Sequence, residues 1–180
     1  MNDLFALIFG TRPEIIKLSQ IVRELEKRNY EYVLIHTGQH YSYEMDKIFF
    51  EELGLPEPDY RLDVGLKAKT HAEQTGLMLI EIERILLKEK PRIVIVQGDT
   101  NTTLAGALAA RKLNFIRVAH VEAGLRSHNW EMPEEINRVV VDHISDILFA
   151  PTEKAKENLL REGIPKNKIY VVGNTISDAV

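Results

Sequence analysis

Cysteine is absent from the 180 residues. That excludes disulfides, thiolate metal sites and cysteine nucleophiles together. Long apolar runs are missing too: no stretch approaches the roughly 20 residues a bilayer-spanning helix needs. The apolar start Leu4 to Phe9 meets Gly10-Thr11-Arg12-Pro13-Glu14 at once. It has neither the basic lead nor the small-residue cleavage site of a secretory signal. The expectation is a soluble, cytoplasmic chain with no membrane partner. Nor is there an excess of positive charge, since 23 Lys and Arg face 27 Asp and Glu for a formal net charge of -4. Nothing in that balance calls for nucleic acid as a partner. Internal repeats, low-complexity stretches and linkers are lacking, as are the glycines of a GxGxxG fingerprint, which argues against a nicotinamide dinucleotide.

What remains is 44% hydrophobic and 28% charged, the make-up of a globular protein. The length suits one well-buried domain. Short β-rich apolar runs alternate with amphipathic segments. Strands are expected at Leu4 to Phe9, Tyr32 to Ile35, Ile93 to Val96, Phe115 to Ala119, Ile147 to Phe149 and Ile169 to Val172, with a short one near Leu62 to Val64. Helices are expected at about Pro13 to Arg28, Tyr43 to Leu53, Thr70 to Lys88, Thr102 to Lys112, Pro133 to Ser145 and Glu153 to Glu162. Thr70 and Glu73 have the spacing of a capping box. Ile93 to Val96 is too continuously apolar for a half-exposed strand and suits the centre of a parallel sheet. The alternation predicts an α/β fold with a doubly wound, mostly parallel Rossmann-like sheet.

Ligands of such sheets bind at the carboxyl ends of the strands, so the residues just after each strand are the ones to search. After the first strand, Gly10 permits a tight turn and Pro13 suits a first helical turn. Arg12 is then carried beside a helix N-terminus, a setting that favours an anion, with Lys17 one turn further on. After the Ile93 strand comes Gln97-Gly98-Asp99-Thr100, where Gly98 allows close backbone approach and Asp99 or Thr100 is equally well read as a helix cap. After the Phe115 strand, Glu122 is expected to be partly buried, and His120 reads as a core histidine. Arg126 either pairs with a carboxylate or holds a ligand. Glu134 and Arg138 open a further helix at i, i+4 spacing and by themselves make no more than a surface ion pair. Together Asp99, Glu122 and Glu134 converge on one sheet edge as an acid/base constellation. His36, His40, His71, His128 and His143 form no metal-ligand pattern, so no metal is expected.

The segments Gly10 to Lys17, Thr37-Gly38-Gln39-His40, His71 to Thr75, Gln97 to Thr100, His120 to Arg126 and Pro133 to Arg138 occur in that order. Together they resemble the non-hydrolysing UDP-N-acetylglucosamine 2-epimerases of bacteria and archaea along the whole chain. The resemblance implies one half of a GT-B-type architecture, with substrate in a cleft between two Rossmann-like domains. It implies reversible conversion of UDP-GlcNAc to UDP-ManNAc through anti elimination of UDP and a 2-acetamidoglucal intermediate, without a cofactor. Asp99, Glu122 and Glu134 correspond to the family's catalytic carboxylates, though the resemblance does not divide acid from base among them. Arg12, Lys17, Gly98, Thr100, Arg126 and Arg138 correspond to substrate-binding positions. Gln39 and His40 fall where some bacterial members bind a second, activating UDP-GlcNAc, but the match weakens at Tyr41-Ser42-Tyr43.

Two departures stand out. Leu66-Lys67-Ala68-Lys69 occupies a place where small residues are usual. Gly173 to Val180 resembles the family's crossing into its second domain, so residues 1–173 are expected to be the N-terminal domain and 174–180 the start of that crossing. An isolated half would then be weakly active or inactive, and a homodimer is the family's usual state. Alternatives are a hydrolysing 2-epimerase releasing ManNAc and UDP, a relative acting on a UDP-diacetamido-uronic acid, and a non-catalytic nucleotide-sugar-binding or dimerisation module. A retaining glycosyltransferase gives no reason for three clustered carboxylates.

Overall fold

The computed structural model describes residues 3–40 and 43–174, without the side chains of residues 43–45. Its strands are Phe5–Phe9 (β1), Tyr32–His36 (β2), Tyr60–Arg61 (β3), Ile93–Gln97 (β4), Arg117–Val121 (β5), Ile147–Ala150 (β6) and Ile169–Val171 (β7). They form one sheet in the order β3-β2-β1-β4-β5-β6-β7, with every pairing among the described residues parallel. The helices are Arg12–Lys27 (α1), Tyr43–Glu52 (α2), Val64–Lys67 (α3), His71–Glu89 (α4), Asn101–Lys112 (α5), Pro133–Ile144 (α6) and Glu153–Arg161 (α7).

The continuous apolar strands are buried on both faces, as a doubly wound sheet requires. Ala6, Ile8, Val94 and Val96 point into one core with Met78 and Ile82 of α4, the alanines of α5 and Val141 of α6. Leu7, Phe9 and Ile95 point the other way, onto Ile15, Leu18 and Val22 of α1 and Phe50 of α2. Small residues bring α5 against the sheet. A Cβ on Gly106 would stand 3.1 Å from Val96 and 3.2 Å from Ile8. The Thr70–Glu73 capping box forms in full: the Glu73 amide donates to Thr70 Oγ1 at 3.1 Å and the Thr70 amide to Glu73 Oε2 at 3.1 Å. Lys90, left-handed at φ 51°, ends α4 ahead of Pro91.

Two expectations are displaced. The strand placed near Leu62 to Val64 lies at Tyr60–Arg61 instead, and Val64–Lys67 is a single helical turn. Asp63 turns left-handed at φ 50°, which ends the extended run. The strand placed at Phe115 to Ala119 begins only at Arg117, because the Ile116 amide turns back to the Leu113 carbonyl at 3.1 Å. The crossing expected at 174–180 falls outside the described residues from position 175 onward, as do Tyr41 and Ser42. Among the described residues no helix is long and apolar enough to cross a membrane.

Candidate active site

The strand order reverses between β1 and β4, and the loops that follow β1, β4 and β5 meet there. This is the crevice in which doubly wound sheets bind their ligands. After β1, Gly10 is required by space. A Cβ there would overlap the hydroxyls of Thr37 and Thr102. Beside the α1 N-terminus the chain places a carboxylate of its own. Glu14, 1% exposed, folds back so that its Oε2 accepts from the Gly10 amide at 2.9 Å and the Thr11 amide at 2.8 Å. Its Oε1 accepts from Thr100 Oγ1 at 2.7 Å, tying the first loop to the start of α5. Burial raises the Glu14 pKa above the usual carboxylate range, although these hydrogen bonds oppose the rise.

Arg12 donates through Nε to Asp46 Oδ1 at 3.0 Å, and its guanidinium lies 4.9 Å from the centre of the Phe49 ring. Asp46 is fully buried and holds His36 Nε2 at 3.1 Å through its other oxygen. Lys17 points from α1 into the crevice. Its Nζ donates to both oxygens of Glu122, at 2.9 and 2.8 Å, and Gln97 Nε2 donates to the same carboxylate. Glu122 holds a left-handed backbone at φ 73°, uncommon for a residue with a long side chain. Its side chain is 13% exposed, in line with the partial burial expected of it.

After β4, Gly98 is left-handed at φ 78°, and Thr100 takes the cap, accepting from the Thr103 amide at 3.1 Å. That leaves Asp99 to receive Arg138 from α6, with Nη2 at 2.5 Å and Nε at 2.9 Å. Arg138 therefore reaches across to Asp99, and to Glu135 at 2.7 Å, rather than pairing with Glu134. Glu135 is buried, which by itself would raise its pKa. The amides of Ser127 and His128 and the Arg138 guanidinium outweigh that and hold it down at about 2. Glu134 makes no ion pair or hydrogen bond among the described residues and faces the cleft.

Two cavities adjoin along this edge. One, of about 300 Å³, is lined by Glu14, Lys17, Gln97, Gly98, Asp99, Thr100 and Glu122, among others. The second, of about 250 Å³, is lined by Gln39, His40, Lys69, His71, Asp99, Asn101, Glu134 and Asn137 with their neighbours. Asp99, Thr100 and His40 border both, so the three candidate carboxylates open onto one cleft. Gln39 is buried, and its Oε1 accepts from the amide and hydroxyl of Thr102, both at 2.8 Å. Arg126 lies apart from both cavities, its side chain 1% exposed between Asp142 and Glu162. His120 is likewise buried, bridging Asp142 and the Gly98 carbonyl. Among the described residues, no group of three His, Asp or Glu side chains is placed to hold a metal ion.

A family model described as UDP-N-acetylglucosamine 2-epimerase matches residues 23–180. The chain belongs to that family. It is 70% identical over 174 residues to the UDP-N-acetylglucosamine 2-epimerase of Methanocaldococcus jannaschii, covering 97% of this chain and 47% of that protein. It is 51% identical over 175 residues to the UDP-2,3-diacetamido-2,3-dideoxy-D-glucuronate 2-epimerase of Pseudomonas aeruginosa, covering 96% of this chain and 49% of that one. The M. jannaschii 2-epimerase crystallised with UDP-GlcNAc and UDP superposes with a TM-score of 0.93 at 69% identity, over 98% of this chain and 48% of that one. The chain thus spans about half the length of the relatives it matches. The sheet seen here is one half of their GT-B-type fold.

Sequence reasoning passed over Glu14, Gln97, Glu135 and Asp142 as functional residues. Glu14 and Glu135 each adjoin a residue that was singled out, yet nothing local marks a carboxylate whose partners lie in another loop.

Proposed function

We propose that this chain supplies one half of the site of a non-hydrolysing 2-epimerase that interconverts UDP-GlcNAc and UDP-ManNAc. The observation that carries the reading is the convergence of Asp99, Glu122 and Glu134 on one cleft with Lys17 bound to Glu122. The chemistry asks for such a set. No carbonyl adjoins C2 of the sugar, so its proton is not acidic, and direct abstraction is slow. Anti elimination avoids this: the C1–O bond to UDP breaks, the C2 proton passes to a base, and 2-acetamidoglucal remains. UDP then adds back to C1 while an acid delivers a proton to the opposite face of C2. Carboxylates on two sides of the ring serve as base and acid. Lys17 and Arg12 are suited to the charge of the departing diphosphate. Gly98 and Thr100 border the sugar in this reading. Arg138 orients Asp99.

The second half of the site would come from a C-terminal domain, which the half-length match to the relatives supports. Alone, the chain would turn over slowly or not at all. We also read the protein as cytoplasmic and homodimeric.

The test is proton NMR in deuterated water, with UDP-GlcNAc and separately with the UDP-diacetamido-glucuronate, on the chain alone and on a protein carrying both halves. UDP-ManNAc bearing C2 deuterium is the expected product of the two-domain protein. Free ManNAc would replace this reading with hydrolysis. Turnover of the uronate alone would move the substrate to the class named for the Pseudomonas relative. No reaction with either sugar by the two-domain protein would overturn an enzymatic role.

A further inference from the structure

The segment from His120 to Arg126 is held from behind by one buried group. Asp142, on α6, has no exposed side-chain surface. Its Oδ1 accepts from His120 Nδ1 at 2.7 Å, and its Oδ2 accepts from the Gly124 amide at 3.0 Å and from Arg126 Nη1 at 2.8 Å. Those three donors stand on both sides of Glu122. The turn between them is demanding. Glu122 and Gly124 are both left-handed, at φ 73° and 83°, and a Cβ on Gly124 would overlap the Ala155 carbonyl. The amides of Glu122 and Ala123 both converge on the Phe149 carbonyl, at 3.1 and 3.0 Å. A left-handed glutamate persists only where its surroundings over-determine it.

The same carboxylate reaches the neighbouring loop. A carbonyl can only accept, so His120 Nε2, 2.7 Å from the Gly98 oxygen, carries the hydrogen and donates. Asp142 thereby fixes a histidine that holds the loop bearing Asp99. Burial alone would push the Asp142 carboxyl up, but His120 and Arg126 hold it below its ordinary range, so it stands as an anion among these donors.

We infer that Asp142 is the positioning residue that holds Glu122 in its left-handed conformation on Lys17 and, through His120, sets the Gly98–Asp99 turn. This rests on the reading above of Glu122 as a reacting group. Asp142 lines neither of the two cavities described above and acts through its neighbours.

The test is Asp142→Asn in the full-length protein. The amide places a donor where three donors already point, so the turn should relax. A crystal structure should show Glu122 at negative φ and away from Lys17. The kcat for epimerisation should fall about 100-fold, as for a reacting group displaced by an ångström, with KM for the nucleotide sugar within about threefold. In an E122Q background the same change should cost little further, because both act at one point. If the single variant does not fold, the pair D142N and R126Q takes its place, since it removes both charges of the Asp142–Arg126 bridge. A variant structure that keeps Glu122 left-handed on Lys17 would overturn the inference, as would losses that multiply fully with those of E122Q. Absence of epimerisation in the wild-type protein would sink the functional reading instead, and the crystal structure would still decide the positioning.

Discussion

Glu14 offers the sharpest test of how this cleft is built. Its carboxyl receives two backbone amides, from Gly10 and Thr11, together with the hydroxyls of Thr11 and Thr100. Glu14, Gly10 and Thr11 are buried, and Thr100 is half-buried at the edge of the cleft. Glu14→Ala would leave both buried amides without acceptors, at about 1–3 kcal/mol each, for a loss of about 3–5 kcal/mol once partial relaxation is allowed. Glu14→Gln should behave very differently. Thr103 gives its only hydroxyl proton to the Gln97 carbonyl at 2.7 Å, so its oxygen, 3.2 Å from Glu14 Oε1, is free to accept. The glutamine oxygen can therefore take the two amides while its NH2 faces Thr103, and the Thr100 hydroxyl, which donates to Glu14 Oε1 in the wild type, can turn its proton to Thr103 Oγ1 at 3.0 Å, so the cost should stay within about 1 kcal/mol. Chemical denaturation followed across pH separates the cases further. Burial raises the folded-state pKa of Glu14, so the stability it contributes is full below the unfolded value near 4.5 and is lost as pH rises through the folded one. Glutamine cannot ionise, so E14Q should gain on the wild type as pH rises from 4 toward neutrality. Equal damage from Ala and Gln, or an E14A loss below about 1 kcal/mol, would refute this account of the loop.

Glu134→Gln should leave stability within about 0.5 kcal/mol, because the side chain has no described partner, yet slow epimerisation at least 100-fold if it transfers a proton, on the order of general acid–base catalysis. Glu135 is held at about 2 against an ordinary 4.5, so its contribution of about 3 kcal/mol is present above pH 4.5 and lost as pH falls toward 2. Acid titration of unfolding should show that loss in the wild type and not in E135Q. Gly10→Ala should cost about 2 kcal/mol or more because its Cβ would overlap two hydroxyls. By comparison, Gly54→Ala meets no neighbour and loses only about 1 kcal/mol from its φ of 61°, a contrast that thermal unfolding of the two variants can measure.

The layout of the sheet was legible because its signals are local. Ile93 to Val96 announces a strand covered on both faces, and the Thr70–Glu73 spacing announces the start of α4; both depend on residues within one turn or one strand. The loops to search followed from the fold, so Asp99, Glu122, Glu134 and Lys17 could be named in advance. What was not legible is pairing over distance. Arg138 was matched to Glu134 by i, i+4 spacing, but Asp99 and Glu135 take it, since Asp99 arrives from a loop 39 residues away. Arg126 left two readings open, and only the packing of α6 and α7 brings Asp142 and Glu162 to it. In the turn beside Arg12, nothing in the sequence singled out Glu14. Its burial depends on Thr100, 86 residues further along.

The carboxylates divide by what they face, and the division bears on the proposed reaction. Glu14, Glu135 and Asp142 spend their lone pairs on backbone amides and buried cations, which makes them part of the frame. Asp99, Glu122 and Glu134 face the cleft, each in a different electrostatic setting: Asp99 against a guanidinium, Glu122 against an ammonium, Glu134 with no cation among the described residues. An ammonium has three donors, and Lys17 directs two toward Glu122. In the proposed reaction the third is left for an oxygen of the diphosphate. A group that holds both the leaving diphosphate and a carboxylate beside the sugar couples C1–O cleavage to proton movement at C2. If Glu122 is the base, negative charge growing on the diphosphate would draw Lys17 toward it and loosen its hold on Glu122. In that reading the carboxylate is freed to receive the C2 proton as the leaving group departs, which fits an elimination through 2-acetamidoglucal.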